Sequence, residues 1–173
     1  MVKQDNNFAY IDGANLYTAN KELGWKLDYK KFRIWLSEKY GIKKAYIFIE
    51  LIPKYKNIYT YLQECGFTLI FKEVIYDGKG KPKGNCGADL VLQAMVDYHE
   101  NNFDNALVVT SDGDYASLVT FLKAQGKLLG ILSPAEQNLC SVLLKRTDSK
   151  IYYIDNKKHI LKKEKTPNED RTS

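Results

Sequence analysis

Two carboxylates, Asp112 and Asp114, flank Gly113 directly after the run Ala106-Leu107-Val108-Val109-Thr110-Ser111. That run is too apolar and β-branched for a surface element and reads as a buried strand. Tyr115, Leu118, Val119 and Leu122 follow at helical spacing, so the acids lie on a tight turn between a strand's carboxyl end and a helix. Asp12 repeats the arrangement near the start of the chain, where Phe8-Ala9-Tyr10-Ile11 runs into Asp12-Gly13-Ala14-Asn15. Open α/β sheets bind ligands at the carboxyl ends of their strands. If the order of strands reverses between these two, Asp12, Asp112 and Asp114 share one crevice. Asp89, early in the helix expected before the second acidic turn, can face it too.

Clustered carboxylates repel, and such a group persists only around something positive. His99 and His159 fall away from the strand ends, so the donors are all oxygen, which favours Mg²⁺ or Mn²⁺ over zinc. Divalent ions so placed activate water and stabilise the leaving oxygen of a phosphodiester. Helix capping is the competing reading, since an Asp at the N-cap or in the first turn is favoured there without any metal. Asn15 and Ser111 stand beside the acids, suited either to hold a substrate phosphate or to satisfy turn backbone. Lys79, Lys81 and Lys83 alternate with glycines and a proline in a loop over 77–85; they either contact the phosphates of a polyanion or form a solvated surface.

The elements that must position these residues alternate strand and helix along the whole chain. Strands are expected at 8–11, 44–50, 67–74, 106–109, 127–132 and 150–154, with helices after Asp28, after Pro53, from Ala88, from Tyr115 and over 138–144. Residues 13–27 read as a loop. The fold class is therefore α/β: a single three-layer domain with a central parallel sheet of about five to six strands. The domain is expected over 1–156, with a basic polar C-terminal tail over 157–173.

With 173 residues, 45% hydrophobic and 27% charged, the chain has the make-up of one ordinary globular domain. Its net charge of +5 permits a nucleic-acid partner without requiring one. Cys65, Cys86 and Cys140 form no CxxC pair, which argues against structural zinc and a disulfide framework and makes a reducing, cytoplasmic setting the expectation. No apolar run is long enough for a membrane span, and the polar start Met-Val-Lys-Gln-Asp-Asn-Asn does not look like a signal peptide.

Ile11-Asp12-Gly13-Ala14-Asn15-Leu16, Lys83-Gly84-Asn85, Asp89 and Thr110-Ser111-Asp112-Gly113-Asp114-Tyr115, in that order, resemble a NYN domain of the LabA-like branch of the PIN-like nuclease superfamily. The resemblance covers roughly residues 7–156. It implies a Rossmann-like parallel sheet and a Mg²⁺- or Mn²⁺-dependent ribonuclease that cuts phosphodiesters with metal-activated water. It places Asp12, Asn15, Asp112 and Asp114 at metal-site positions, with single-stranded or structured RNA as the partner, a homodimer allowed and no membrane. One departure stands out. The family's acid at the start of the central helix is replaced by Gly87, and Asp89 comes two residues later, about 200° around a helix of 3.6 residues per turn. Two readings remain beside the nuclease. One is a catalytically weak or inactive RNA-binding module. The other, a phosphoacceptor receiver domain, is disfavoured by the single acid after the first strand and by Leu132-Ser133-Pro134 where a lysine belongs.

Overall fold

The computed structural model describes residues 5–80 and 86–164, together with the backbone of 82–83. Six parallel strands form its central sheet: β1 (Asn7–Asp12), β2 (Ile42–Leu51), β3 (Thr68–Glu73), β6 (Ala106–Val109), β7 (Leu128–Ser133) and β8 (Ile151–Tyr153). Their order is β3-β2-β1-β6-β7-β8. The chain builds outward from β1 in one direction, returns to the middle, and builds outward in the other. β1 and β6 are therefore neighbours at the reversal, with Ile11 level with Val109 and, on its other side, with Ile47. Asp12 and the Thr110–Asp114 turn leave the sheet side by side, at the point where doubly wound folds open a crevice.

Alternation along β1 sends Ala9 and Ile11 into one hydrophobic layer and Phe8 and Tyr10 into the other. The first layer is covered by α1 (Gly13–Glu22), α2 (Tyr29–Tyr40), α3 (Lys56–Glu64) and α7 (Lys158–Leu161), which supply Leu16, Phe32, Leu36, Leu62 and Leu161. The second is covered by α4 (Gly87–His99), α5 (Ala116–Ala124) and α6 (Val142–Lys145), through Leu90, Ala94, Leu118, Val119, Leu122 and Leu144. Burial on both faces explains why the central strands read as continuous apolar runs.

Three segments depart from the sequence expectation. Residues 13–22 form α1 where a loop was expected, because only Gly13, Leu16 and Ala19 of that helix are buried and so few leave hardly any apolar period to read. The helix expected over 138–144 is cut to Val142–Lys145, because the Ser141 N–H donates to the Ser111 carbonyl at 3.0 Å instead of extending a helix. Within the basic loop, β4 (Ile75–Tyr76) pairs antiparallel with β5 (Pro82–Lys83), forming a short hairpin. Residues 157–164 stay on the body: Leu161 is fully buried, its carbonyl accepts from the Asp28 N–H at 2.9 Å, and the Lys163 N–H donates to the Lys26 carbonyl.

α1 starts with no connecting loop, Asp12 being both the last residue of β1 and the helix N-cap. A helix begun this close to the sheet must have glycine first. A Cβ on Gly13 would lie 2.6 Å from the Phe48 carbonyl oxygen, a backbone atom of β2 that cannot step aside. Gly113 is crowded too, but by side chains, those of Ser141 and Leu143. Gly13→Ala sets about 1 kcal/mol of helix propensity against an overpacking cost of about 1–3 kcal/mol. Since the obstacle is backbone, the cost should win, and thermal denaturation should show a melting temperature lower by several degrees. An equal or higher melting temperature would mean that α1 can lift off the sheet.

Candidate active site

The carboxyl edge at the reversal is tied together before any ligand arrives. Asn15 Oδ1, in the first turn of α1, accepts from both the N–H and the Oγ of Ser111, each at 2.9 Å. Ser111 in turn offers its carbonyl to Ser141. The two residues expected to touch substrate are thus bonded to each other, and their bond sets the separation between the two acidic turns.

Asp12 is 8% exposed, and its carboxylate accepts from the Asn15 N–H at 3.1 Å, from the Ala14 N–H and from the Tyr115 hydroxyl. These bonds favour the charged form, yet burial outweighs them, and with the nearby charge of Asp112 it raises the Asp12 pKa above the ordinary carboxylate value. Tyr115 is buried too. Burial first, then the Asp12 charge, push its hydroxyl far above the usual phenol range, so it stays a donor to Asp12. Its role is not apparent from spacing; the only cue in the sequence is an aromatic directly after the second acidic turn.

Asp112 is exposed and caps the 3-10 turn Gly113–Tyr115, accepting from the Asp114 N–H at 3.0 Å, while its own N–H donates to Thr110 Oγ1. Asp114 is exposed beside it. Capping therefore does occur at both acidic turns. It uses one oxygen of each cap, Oδ1 of Asp12 and Oδ1 of Asp112, for a backbone N–H.

Asp89 sits in the first turn of α4, where its Oδ2 lies 3.8 Å from Lys72 Nζ. Lys72 is level with Glu50 across β2 and β3. Glu50, at the carboxyl end of β2, is an acid that the sequence reading passed over. The signal was present, an acid closing a buried strand just as Asp12 does. Cys86 connects the groups: its thiol is pushed up to about 11 by burial and then by Glu50 and Asp89, against the opposing effect of Lys72, with a smaller push from Asp12. Such a thiol is protonated at neutral pH and is no nucleophile. Lys79 is exposed near the hairpin tip, where its N–H donates to Asp77 Oδ1; the side chains of Lys81 and Lys83 lie outside the described residues.

Asp12, Asp112, Asp114, Asp89 and Glu50 thus lie along one acidic sheet edge. Among the described residues, no three His, Cys, Asp or Glu side chains form a group that could hold a metal ion. The reasons are local: Asp89 is drawn to Lys72, and Asp112 and Asp114 face solvent. The donor chemistry nevertheless suits a hard divalent ion, with oxygen atoms only and a buried carboxylate beside a second negative charge.

A six-stranded parallel sheet with this order and an acidic crevice at its reversal defines a PIN-like α/β protein. The NYN domain model matches residues 9–155, and the chain belongs to the NYN family within the PIN-like nuclease superfamily. The fold is also that of a solved protein of unknown function from Vibrio parahaemolyticus, with a TM-score of 0.72 and 21% identity over 90% of this chain and 97% of that one. No curated protein matches the chain.

The Asp12 environment has a measurable consequence. A carboxyl whose folded pKa is raised costs stability once ionised. The cost is absent below the ordinary carboxylate value and fully present once the pH has risen through the folded one. Asp12→Asn keeps a cap acceptor and removes the buried charge. At pH 7 the variant should melt no lower than wild type, and any advantage should shrink towards pH 4. A clear loss at pH 7, measured by circular dichroism without divalent ions, would mean that the hydrogen bonds to the carboxylate outweigh its burial.

Proposed function

We propose that this protein is an endoribonuclease that hydrolyses RNA phosphodiester bonds with the help of Mg²⁺ or Mn²⁺. The observation that carries this reading is the buried Asp12 carboxylate beside Asp112 at the sheet reversal of a NYN domain. Asp12 and Asp112 would hold the ion, with Asp89 and Asp114 as the further acids. When bound, the ion supplies Lewis acidity towards a phosphate oxygen and acidifies the attacking water. Tyr115 keeps the Asp12 carboxylate oriented, and the Asn15–Ser111 bonds keep the two acidic turns at a fixed separation. Lys79, Lys81 and Lys83 would contact phosphates along the strand, with the lysines of the basic segment over 157–173 adding charge. Single-stranded or structured RNA is the substrate class, the setting is the cytoplasm, consistent with the free Cys65, Cys86 and Cys140, and a homodimer is compatible with this reading.

A second reading, an RNA-binding module of weak or no activity, is favoured by one observation. Asp89 is engaged by Lys72, while Gly87 occupies the start of α4, where the family resemblance leads one to expect an acid.

A cleavage assay on single-stranded RNA with Mn²⁺ separates the two. In the nuclease reading the wild type cuts, chelation stops it, and Asp12→Asn and Asp112→Asn each lower the rate at least a hundredfold. If Asp89 leaves Lys72 to serve the site, Asp89→Asn is equally damaging and Gly87→Asp changes little. If it does not, Gly87→Asp raises the rate. RNA bound but left intact by the wild type, under Mg²⁺ and Mn²⁺ alike, would establish the binding module instead.

The lysines are tested independently by a salt titration of RNA affinity. Replacing Lys79, Lys81 and Lys83 by Ala should weaken binding and flatten the slope of log affinity against log salt by about 0.7 for each lost phosphate contact on a single strand. An unchanged slope would return the hairpin to the role of a solvated surface.

A further inference from the structure

Beside the acidic edge lies a cavity of about 290 Å³ between α1, β2 and α3, with Gly13, Ala14, Tyr17, Glu50, Tyr55 and Ile58 among its walls. Gly13 and Ala14 directly follow Asp12, and Glu50 is the acid that ends β2, so the cavity shares its wall with the crevice. It is also held open by bonds within the protein. The Tyr59 hydroxyl, on its far wall, donates to the Glu50 carbonyl at 2.9 Å and accepts from the Ile52 N–H at 3.0 Å, fixing the chain between β2 and α3.

Of the wall's tyrosines, Tyr17 is half exposed and Tyr55 partly so, and each of these two has a lysine ammonium over its ring. Lys21 Nζ lies 4.3 Å from the Tyr17 centroid, and Lys54 Nζ lies 4.9 Å from that of Tyr55. The cavity interior is apolar, its one acid, Glu50, stands on the wall shared with the crevice, and the charges over its two outer tyrosines are positive. A neutral, flat, apolar-faced group attached to a negatively charged chain matches that combination. Unpaired nucleobases are bound elsewhere in this manner, stacked on aromatic side chains while cations take the backbone phosphates.

We propose that the cavity receives an unpaired nucleobase of the RNA strand whose phosphate lies at the acidic edge, a reading that rests on the proposed function. Tyr17 and Tyr55 provide the stacking surface, and Lys21 and Lys54 take the phosphates on either side of the inserted base. An apolar small molecule or a partner's side chain would use the apolar interior but would leave the paired lysines without a role.

The test is a fluorescence titration of a single-stranded oligoribonucleotide carrying one 2-aminopurine, with the full chain, in chelator so that no cleavage occurs. Saturable quenching is expected on binding, and an abasic site at the same position should bind at least about fivefold more weakly. Tyr17→Ala and Tyr55→Ala should each weaken the intact strand by a similar factor while leaving the abasic strand unaffected, and Tyr17→Trp should retain tight binding. Tight, salt-dependent RNA binding with no quenching, or with no preference for the intact strand, would overturn the base pocket and leave the proposed function in place. Quenching and base preference without cleavage under Mn²⁺ would uphold the pocket and overturn the nuclease. Absence of RNA binding would overturn both.

Discussion

Asn15 Oδ1 accepts two hydrogen bonds from Ser111, and the geometry of the whole sheet edge depends on that contact. Asn15 belongs to the helix that leaves β1, and Ser111 to the turn that leaves β6; the two are 96 residues apart in sequence. Parallel neighbours in a sheet are joined along their ladders but free to splay beyond them. Here one side-chain amide continues the connection past the last ladder pair. Ser141, bonded to the Ser111 carbonyl, and the tight seat of Gly113 against Ser141 and Leu143 brace the turn from the other layer. Two residues that sequence alone suggests as substrate contacts are therefore first of all a clamp between the acidic turns.

The clamp matters because what it holds together repels. Asp12 is buried and feels Asp112, and its three hydrogen bonds do not fully offset the cost of burial. In the proposed function a cation at this edge would offset part of that cost, since positive charge favours the ionised carboxylate. Local strain of this kind persists only where the surroundings over-determine it. The surroundings here are Gly13 against the Phe48 carbonyl, the Tyr115 hydroxyl and the Asn15–Ser111 bonds. Capping and metal binding are often posed as rival explanations of an N-terminal Asp. At this site they are compatible: the cap bonds orient the acid, and the turn to which it belongs is held at the crevice.

The parallel sheet and the placing of Asp12 and Asp112 at the carboxyl ends of buried strands were legible in the sequence because each rests on a strong local signal, whereas the adjacency of those two strands followed only if the strand order reverses, as it does. Continuous apolar runs mark strands buried on both faces, and an Asp-Gly step marks each abrupt exit. α1 was not legible, since a helix that buries only Gly13, Leu16 and Ala19 carries almost no apolar period. The truncation of α6 was not legible either, because its cause is a bond from Ser141 to a residue thirty positions earlier. Glu50 was legible in principle, standing at the end of β2 as Asp12 stands at the end of β1; attention to Asp-Gly steps alone hides it. The pairing of Asp89 with Lys72 joins a helix start to a strand that precedes it, and no spacing rule in one sequence predicts such a contact.

That last pair decides how the edge behaves. Lys72 lies between Glu50 and Asp89, and Cys86 lies within the field of all three. At 3.8 Å and partly exposed on both sides, the Lys72–Asp89 contact is weak, of the order of a surface ion pair at about 0–1 kcal/mol. A divalent ion beside Asp12 and Asp112 would attract Asp89 with twice the charge of the ammonium and at a shorter contact distance. In the nuclease reading that exchange of partners would be favoured by charge and limited by reach. Reach depends on the start of α4, where Gly87 stands. The N-cap of that helix, Cys86, makes no side-chain capping bond, so in the nuclease reading the approach of Asp89 would break no cap.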